Sequence, residues 1–452
     1  MPSHITKEMS GWGRYPVEEC RIFRPEKRGA LEALVKENKS TLLARGLGRS
    51  YGDAALNPEG LALQERLDRF ISFDEENGTL DCEGGVSLDE IIRVFGPRGW
   101  FLPVSPGTKF VTVGGALACD IHGKNHHRDG SFSEFVEEFD LLLASGKILL
   151  CSREENAAAF WATVGGLGLT GIITRVRFRL RRVASSYIAA QYERLSNLDA
   201  LLEAFSRDQE YSYSVAWIDC LAAGDSLGRS VLIRGEHATP DQLAPAQRAA
   251  PLSLATPKKR GVPLDLPDFA LNPLTVRAFN AAYYAAHPSR CAVVDWDSFF
   301  YPLDAIENWN RIYGARGFIQ YQLALPFETS RAGLIELLEK LAASGRASFL
   351  AVLKSFGPQN PAPLSFPLAG HTLALDIPFA DDLPDFAREL DEIVLRHNGR
   401  VYLAKDAMLN AEHFRAMYPR WKEWLETKRT LDPHNRFSSS LARRLEMLED
   451  NE

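Results

Sequence analysis

The stretch from Pro106 to His127, PGTKFVTVGGALACDIHGKNHH, constrains this chain more than any other. Gly114 and Gly115 follow the β-branched run Val111, Thr112 and Val113, so backbone there can approach a ligand without side-chain obstruction. After the small apolar run Ala116, Leu117, Ala118 come His122, Gly123, Lys124, Asn125, His126 and His127. Titratable groups beside a glycine cradle point to redox or transfer chemistry. Taken alone, a glycine pair after a strand is as readily a turn or bulge. Three close histidines suit zinc, but Asp120 is the closest acid and no cysteine or carboxylate has metal-site spacing. The sequence predicts no metal.

Two further glycine turns flank this stretch. One is the run Arg45, Gly46, Leu47, Gly48, Arg49, Ser50, Tyr51, Gly52, Asp53, which follows a short predicted strand over 41–44. It offers amides, a hydroxyl and positive charge together, as a pyrophosphate requires. No helical pattern starts directly after it, so it is not the GxGxxG turn of a dinucleotide-binding βαβ unit. The other, 165–171, reads GGLGLTG and feeds a predicted strand over 172–180. Three such turns, each beside a strand, predict one long ligand lying across them.

Composition narrows the partners. A chain of 452 residues should hold two or three domains. A net charge of −7 argues against nucleic acid, which needs clustered basic residues. The N-terminal run lacks a basic region followed by an apolar one, and no stretch approaches the ~20 apolar residues that cross a bilayer. Six cysteines without CxxC spacing read as reduced thiols, so a cytoplasmic location without a disulfide framework is expected.

Periodicity predicts a helix over 26–37, a strand over 79–84, and a capping box from Ser87 to Glu90 opening a helix that ends near Phe95. An apolar hairpin follows over 139–151, then a helix over 154–164. From 182 to 399 the pattern is strands at 211–219, 230–234, 318–325, 348–356 and 372–379, with helices at 275–286, 331–343 and 383–397. That mixture suggests a sheet covered on one face by helices, its other face free. Gln320 and Gln322 share one face of their strand, as do Lys354 and Phe356, and Thr372, Ala374 and Asp376 on theirs. The proline-rich segment 238–273, with Lys258, Lys259 and Arg260, reads as a solvated loop or a lid near anionic lipid. A strand over 400–404 would deliver Lys405.

The order RGLGRSYGD, PGTKFVTVGGALACDIHGKNHH, FWATVGGLGLTGII resembles the FAD-binding domain of the vanillyl-alcohol oxidase and p-cresol methylhydroxylase superfamily. Within it the chain is similar to the flavoprotein oxidase subunits of decaprenylphosphoryl-β-D-ribose 2'-epimerases. The similarity runs on through AWIDC, FIQYQLALP, VLKSFGPQNPAPLSFP, VYLAKDA and FRAMYPRWKEW, and is weakest over 238–273. It implies an α+β fold: a two-part FAD-binding domain, 1–181 and 400–452, with an antiparallel-sheet substrate or cap domain at 182–399.

By that resemblance the 45–53 loop holds the FAD pyrophosphate. Gly107, Thr112, Val113, Gly114, Gly115, Cys119, Asp120, Ile121, His122, Gly171, Ile172, Ile173, Tyr402 and Lys405 complete the cofactor site. Arg49 stands where covalent members carry a flavin-linked histidine, which implies non-covalent FAD. Lys124, Trp217, Tyr301, Gln322, Lys354, Phe356, Thr372 and Ala374 match the substrate pocket. Mycobacterial members carry asparagine in place of Thr372 and cysteine in place of Ala374.

The implied reaction oxidises the 2'-hydroxyl of a polyprenylphosphoryl ribose to a ketone. Lys405 would stabilise negative charge on the flavin. His122, Tyr51 or a water would take the proton. Implied partners are a lipid-linked sugar phosphate, a reductase of the short-chain dehydrogenase type, and quinone or oxygen as electron acceptor, with at most peripheral membrane contact. A soluble polyol or aldonolactone oxidase, and a flavin-binding scaffold without turnover, are the competing readings.

Overall fold

The computed structural model describes residues 3–253, 260–346 and 348–449. Lys258 and Lys259 lie outside the described residues. The chain is a mixed α/β structure built on two large antiparallel sheets and a smaller mixed one. The smaller sheet orders Ile5–Ser10, Val17–Phe23, Leu61–Leu63 and Leu43–Arg45, with the last two strands parallel. The five-stranded sheet runs Phe70–Asp74, Thr79–Glu83, Ile172–Arg179, Val136–Leu142, Ile148–Ser152. Thr79–Glu83 is buried along its whole length because it is internal and covered on both faces, so it shows no alternation.

The eight-stranded sheet orders Arg290–Asp295, Tyr187–Leu195, Ser230–His237, Tyr213–Ile218, Ala351–Phe356, Gly370–Pro378, Phe318–Pro326 and Arg400–Val401. The helices Leu198–Arg207, Phe327–Ser344 and Leu383–Arg396 pack on one face of it. The last of these buries Leu383, Phe386, Leu390, Ile393 and Val394, a spacing that sets one helical stripe against the strands. The opposite face carries Gln320, Gln322, Lys354, Ala374 and Asp376. Register puts Gln320 beside Asp376, Gln322 beside Ala374 and Lys354 beside Thr372. Side chains from three strands therefore form one polar patch.

Several expectations need correction. The β-branched run 111–113 does not end a strand. Thr112 caps the helix Val113–Ala118, its hydroxyl accepting from Gly115 N–H at 3.2 Å, and capping outweighs the strand propensity of three residues. The strand expected over 400–404 stops at Val401. Tyr402, Leu403 and Ala404 are all buried, and the Lys405 and Asp406 amides turn back onto Tyr402 O. The segment 238–273 is only partly a loop. Pro245–Ala249 is helical and Arg260–Gly261 pairs with Ile306–Glu307. Tyr187–Leu195 and Arg290–Asp295 are strands that the pattern did not mark; they lie at or near a sheet edge, and the first mixes alanine, glutamine, glutamate and arginine into its run. No helix among the described residues is long and apolar enough to cross a membrane.

Candidate active site

A cavity of about 360 Å³ runs from the 45–51 loop, past the Val113–Ala118 helix, to the polar face of the eight-stranded sheet. Its first wall is the glycine loop. The N–H groups of Gly46 to Ser50 have no hydrogen-bond partner among the described residues. Gly46 lies so close to the central stretch that a Cβ there would stand 2.3 Å from Thr112 Oγ1, so the two turns abut. Arg45 is not available as a phosphate ligand: its guanidinium donates to Ser10 O and Ala55 O, both at 2.7 Å, and braces the loop from behind. Arg49 lines the cavity with its guanidinium 3.9 Å above the Trp12 ring.

Gly114 and Gly115 do not offer free amides. Gly114 N–H donates to Gly84 O at 2.8 Å and Gly115 N–H serves the Thr112 cap. Their contribution is a floor without side chains, to which Gly107, Gly171 and Ile173 add. Gln64 also lines the cavity, and its Oε1 is buried with no partner among the described residues. An unmet acceptor beside a row of unmet amides suits a ligand carrying both an amino donor and phosphate oxygens, as the adenine dinucleotide half of FAD does. The residues present fit FAD.

At the far end, residues 402–405 bring Lys405 to the cavity. Tyr402 stacks on Phe366 with centroids 4.5 Å apart, and its hydroxyl donates to Cys119 O at 2.6 Å. Tyr51 N–H donates to Ala404 O at 3.1 Å, tying the glycine loop to this turn. Lys405 Nζ sits 4.2 Å from the Tyr51 ring centroid. Burial pushes its ammonium down to about 8, although Asp376 and Cys119 oppose this. Burial likewise pushes Lys124 down to about 8; Nζ donates to Phe300 O at 3.3 Å. Lys354 is the third lysine, pushed down to about 7 by burial and then by Lys124 and Lys405. Among the described residues none of the three is within ion-pairing distance of a carboxylate.

His122 stands between the two sides. Its Nε2 is 3.0 Å from Gln322 Nε2 and its Nδ1 is 3.1 Å from Lys354 Nζ. Burial, then Lys354, holds it well below the usual imidazole range, so it is neutral. His126 and His127 are not part of the cavity lining: His126 Nδ1 accepts from Gly357 N–H and His127 Nε2 donates to Tyr211 O. Among the described residues no group of three His, Cys, Asp or Glu is arranged to hold a metal.

Of the expected cofactor residues, Arg45 to Tyr51, Gly107, Thr112, Gly114, Gly115, Cys119, Ile121, His122, Gly171, Ile173, Tyr402 and Lys405 line the cavity. Gly52, Asp53, Val113, Asp120 and Ile172 stand outside the lining. Val113 and Ile172 are core residues, and Asp53 pairs with Arg444 at 2.6 Å. Asp120 accepts from Asn360 at 2.5 Å. Of the expected substrate residues, Lys124, Gln322, Lys354 and Ala374 line it. Trp217, Tyr301, Phe356 and Thr372 lie behind. Trp217 donates to Phe349 O, Tyr301 bonds Ser105 Oγ, Phe356 packs on His122 and Thr372 donates to Leu323 O. Sequence reasoning missed Gln64 and Trp12, which nothing local marks. It placed Gln320 and Asp376 on the right face without giving them a role.

Among the described residues Asp376 is the carboxyl behind this patch. It is fully buried, accepts from Gln320 Nε2 at 2.6 Å, and is pushed up to about 7 by burial.

Residues 21–152 match the model of an FAD binding domain, and residues 376–445 match that of D-arabinono-1,4-lactone oxidase. The chain is 39% identical to decaprenylphosphoryl-beta-D-ribose oxidase of Mycolicibacterium smegmatis over 98% of both chains. It is 34% identical to an uncharacterized Streptomyces coelicolor protein over 80% of this chain and all of that one. A D-arabinono-1,4-lactone oxidase from Neurospora crassa, so named provisionally, shares 27% over 32% of this chain and 26% of its own. With a cavity fitted to FAD and likeness along nearly the whole chain, this protein is an FAD-dependent oxidoreductase belonging to the decaprenylphosphoryl-β-D-ribose oxidase family.

Proposed function

We propose that this protein oxidises the 2'-hydroxyl of a polyprenylphosphoryl-β-D-ribose to the 2'-ketone, the first half of an epimerisation that a reductase of the short-chain dehydrogenase type completes. The observation that carries the reading is the set of three lysines, Lys124, Lys354 and Lys405, around one cavity without a carboxylate partner. Lysines without a carboxylate partner in a half-buried site, Lys124 and Lys405 above all, favour an anionic ligand. A neutral polyol or lactone leaves that charge unmet. The relative's name, with its ribose and its phosphoryl lipid, supplies a substrate of the matching charge.

Bound FAD, non-covalent because Arg49 offers no nucleophile, would supply the oxidising power. The protein's part is positioning and charge. The 45–51 loop would hold the pyrophosphate on its amides. Lys405 would stand at the edge where negative charge builds as the alcohol is oxidised. Lys124, on the opposite wall, would hold the substrate phosphate, and Gln320 and Gln322 would orient the sugar. A two-part FAD-binding domain is supported by Trp424, whose indole donates to Ala162 O, and by Phe437, which bridges to Leu42. The return from the cap sheet then follows Val401, since Arg400 and Val401 still pair with Ala324 and Leu323. Quinone or oxygen would take the electrons, and contact with the membrane that carries the lipid would be peripheral, from the cytoplasmic side.

Anaerobic bleaching of the yellow flavin absorbance tests this. Polyprenylphosphoryl ribose should bleach the wild type and free ribose or polyols should not. Lys405→Ala should keep FAD yet be reduced about 10²–10³-fold more slowly. Bleaching by neutral sugars or lactones instead would favour the second reading, a soluble lactone or polyol oxidase, to which the match over 376–445 lends its support.

A further inference from the structure

His122 is bonded at both ring nitrogens, and a neutral imidazole has one proton to give. One neighbour must therefore donate and the other accept. Thr372 decides which. Its hydroxyl spends its proton on Leu323 O at 2.7 Å, which leaves Oγ1 as an acceptor for Gln322 Nε2 at 3.3 Å. The Gln322 amide thus turns its NH₂ toward both Thr372 and His122, one N–H to each. His122 Nε2 accepts, the ring proton rests on Nδ1, and Nδ1–H faces Lys354 Nζ at 3.1 Å. An ammonium has no lone pair to receive that proton, whereas a free amine has one.

We propose that His122 Nδ1–H holds Lys354 as a free amine, and that Lys354 is the base that takes the substrate hydroxyl proton, His122 acting as its positioning residue. This inference rests on the oxidase reading above. The surroundings agree with it. The titratable groups facing Nζ are Lys124, Lys405, His122 and His126, and none brings negative charge. Those two lysines and burial all favour the neutral amine. A base that titrates near neutrality combines availability with driving force. The rival bases are poorer. The His122 ring turns its one lone pair, at Nε2, to Gln322 rather than to the cavity, and its Nδ1 is protonated. Tyr51 is buried, and burial holds its phenol well above the usual range.

The bookkeeping of atoms closes. As the substrate hydroxyl arrives, the amine turns its single lone pair from His122 Nδ1–H to that hydroxyl; the substrate O–H bond breaks and its proton bonds to Nζ, converting amine to ammonium. The hydrogen on the same carbon leaves with its electron pair, for which FAD, when bound, would be the oxidant. The C–O single bond becomes C=O. Lys354 returns its proton to solvent after the ketone leaves. Lys124, whose Nζ among the described residues donates only to Phe300 O, is left to meet the phosphate.

The test uses holoenzyme. Lysines labelled isotopically by reductive methylation are titrated by NMR from about pH 6 to about pH 9, the span between a depressed and an ordinary lysine. The Lys354 resonance is assigned by its absence in Lys354→Met. A midpoint near neutrality is expected, and a resonance that stays that of an ammonium throughout overturns the proposal. In single-turnover anaerobic reduction, the wild-type rate should rise with pH and level off above neutrality. Lys354→Arg keeps a cation that cannot accept a proton. It should lose about 10²–10⁴-fold in rate together with the pH dependence, at little cost in KM. A retained rate with weakened binding would make Lys354 an anion-holding ammonium and overturn the proposal. His122→Asn, whose amide can donate from the place of Nδ1–H, should keep the low midpoint, and His122→Phe should raise it. If the lipid-linked sugar fails to bleach the wild type, the oxidase reading falls, while the titration still decides the state of the amine.

Discussion

Asp376 shows what burial does to a single carboxyl. It has no exposed surface, and its acceptor bonds from Gln320 and Tyr313, with Lys405 nearby, do not repay the loss of water. Its proton is therefore held to about pH 7 in the fold but released near 4 in the unfolded chain. A folded pKa raised in this way stabilises below the unfolded value and loses that contribution as pH rises through the folded one. Asp376→Asn keeps an acceptor for Gln320 and never ionises. Urea unfolding of the apoprotein should show the variant gaining on the wild type between about pH 4 and about pH 7, by an amount on the order of 2–4 kcal/mol, and holding that gain above. The sequence put Asp376 on the correct strand face by alternation. That it is wholly enclosed depends on Tyr313 and on residues 402–405, which are far away in the chain, and no local pattern carries that.

At the scale of elements, the site rests on three turns that touch one another. Gly46 abuts Thr112, and Tyr51 N–H reaches Ala404 O. Gly52 sits at φ 56°, with Asp406 O only 1.9 Å from where a Cβ would be. Gly52→Ala should cost about 1–2 kcal/mol for the left-handed backbone alone. Displacement of Asp406 should then push the glycine loop away from the 402–405 turn and weaken FAD binding by tenfold or more, read by equilibrium dialysis of flavin. The glycine runs were legible because close approach needs glycine wherever it occurs. Which of their amides stay free was not. Gly114 spends its amide on Gly84, a partner thirty residues upstream, and Arg45 spends its charge on two carbonyls. The turn at residues 402–405 was misread as strand because Val401 and Leu403 alternate as strand residues do. The amides of Lys405 and Asp406 fold back instead, a choice made by the contact with Tyr51.

In the whole molecule, the segment beyond residue 405 closes the structure. Trp424 is fully buried against Ala162, and Phe437 completes the core beside Leu42. Arg444 joins Asp53 of the first glycine loop at 2.6 Å to Asp406, the neighbour of Lys405, at 2.9 Å. Both carboxylates are nearly enclosed, so Arg444→Met would leave two buried charges unmatched. A loss of about 3–5 kcal/mol in unfolding free energy is expected, with FAD affinity falling in parallel. The aromatic and charged residues of this segment were visible in the sequence, but the side of the fold to which they return was fixed only by long-range packing. The Arg444 bridge also sets an order of events in the cell. Ribosomes make the glycine loop first and the lysine turn much later, and the residue that fastens one to the other emerges after both. Firm flavin capture is therefore expected only after translation has passed Arg444, and a chain stalled before that codon should hold its cofactor more weakly than the finished one.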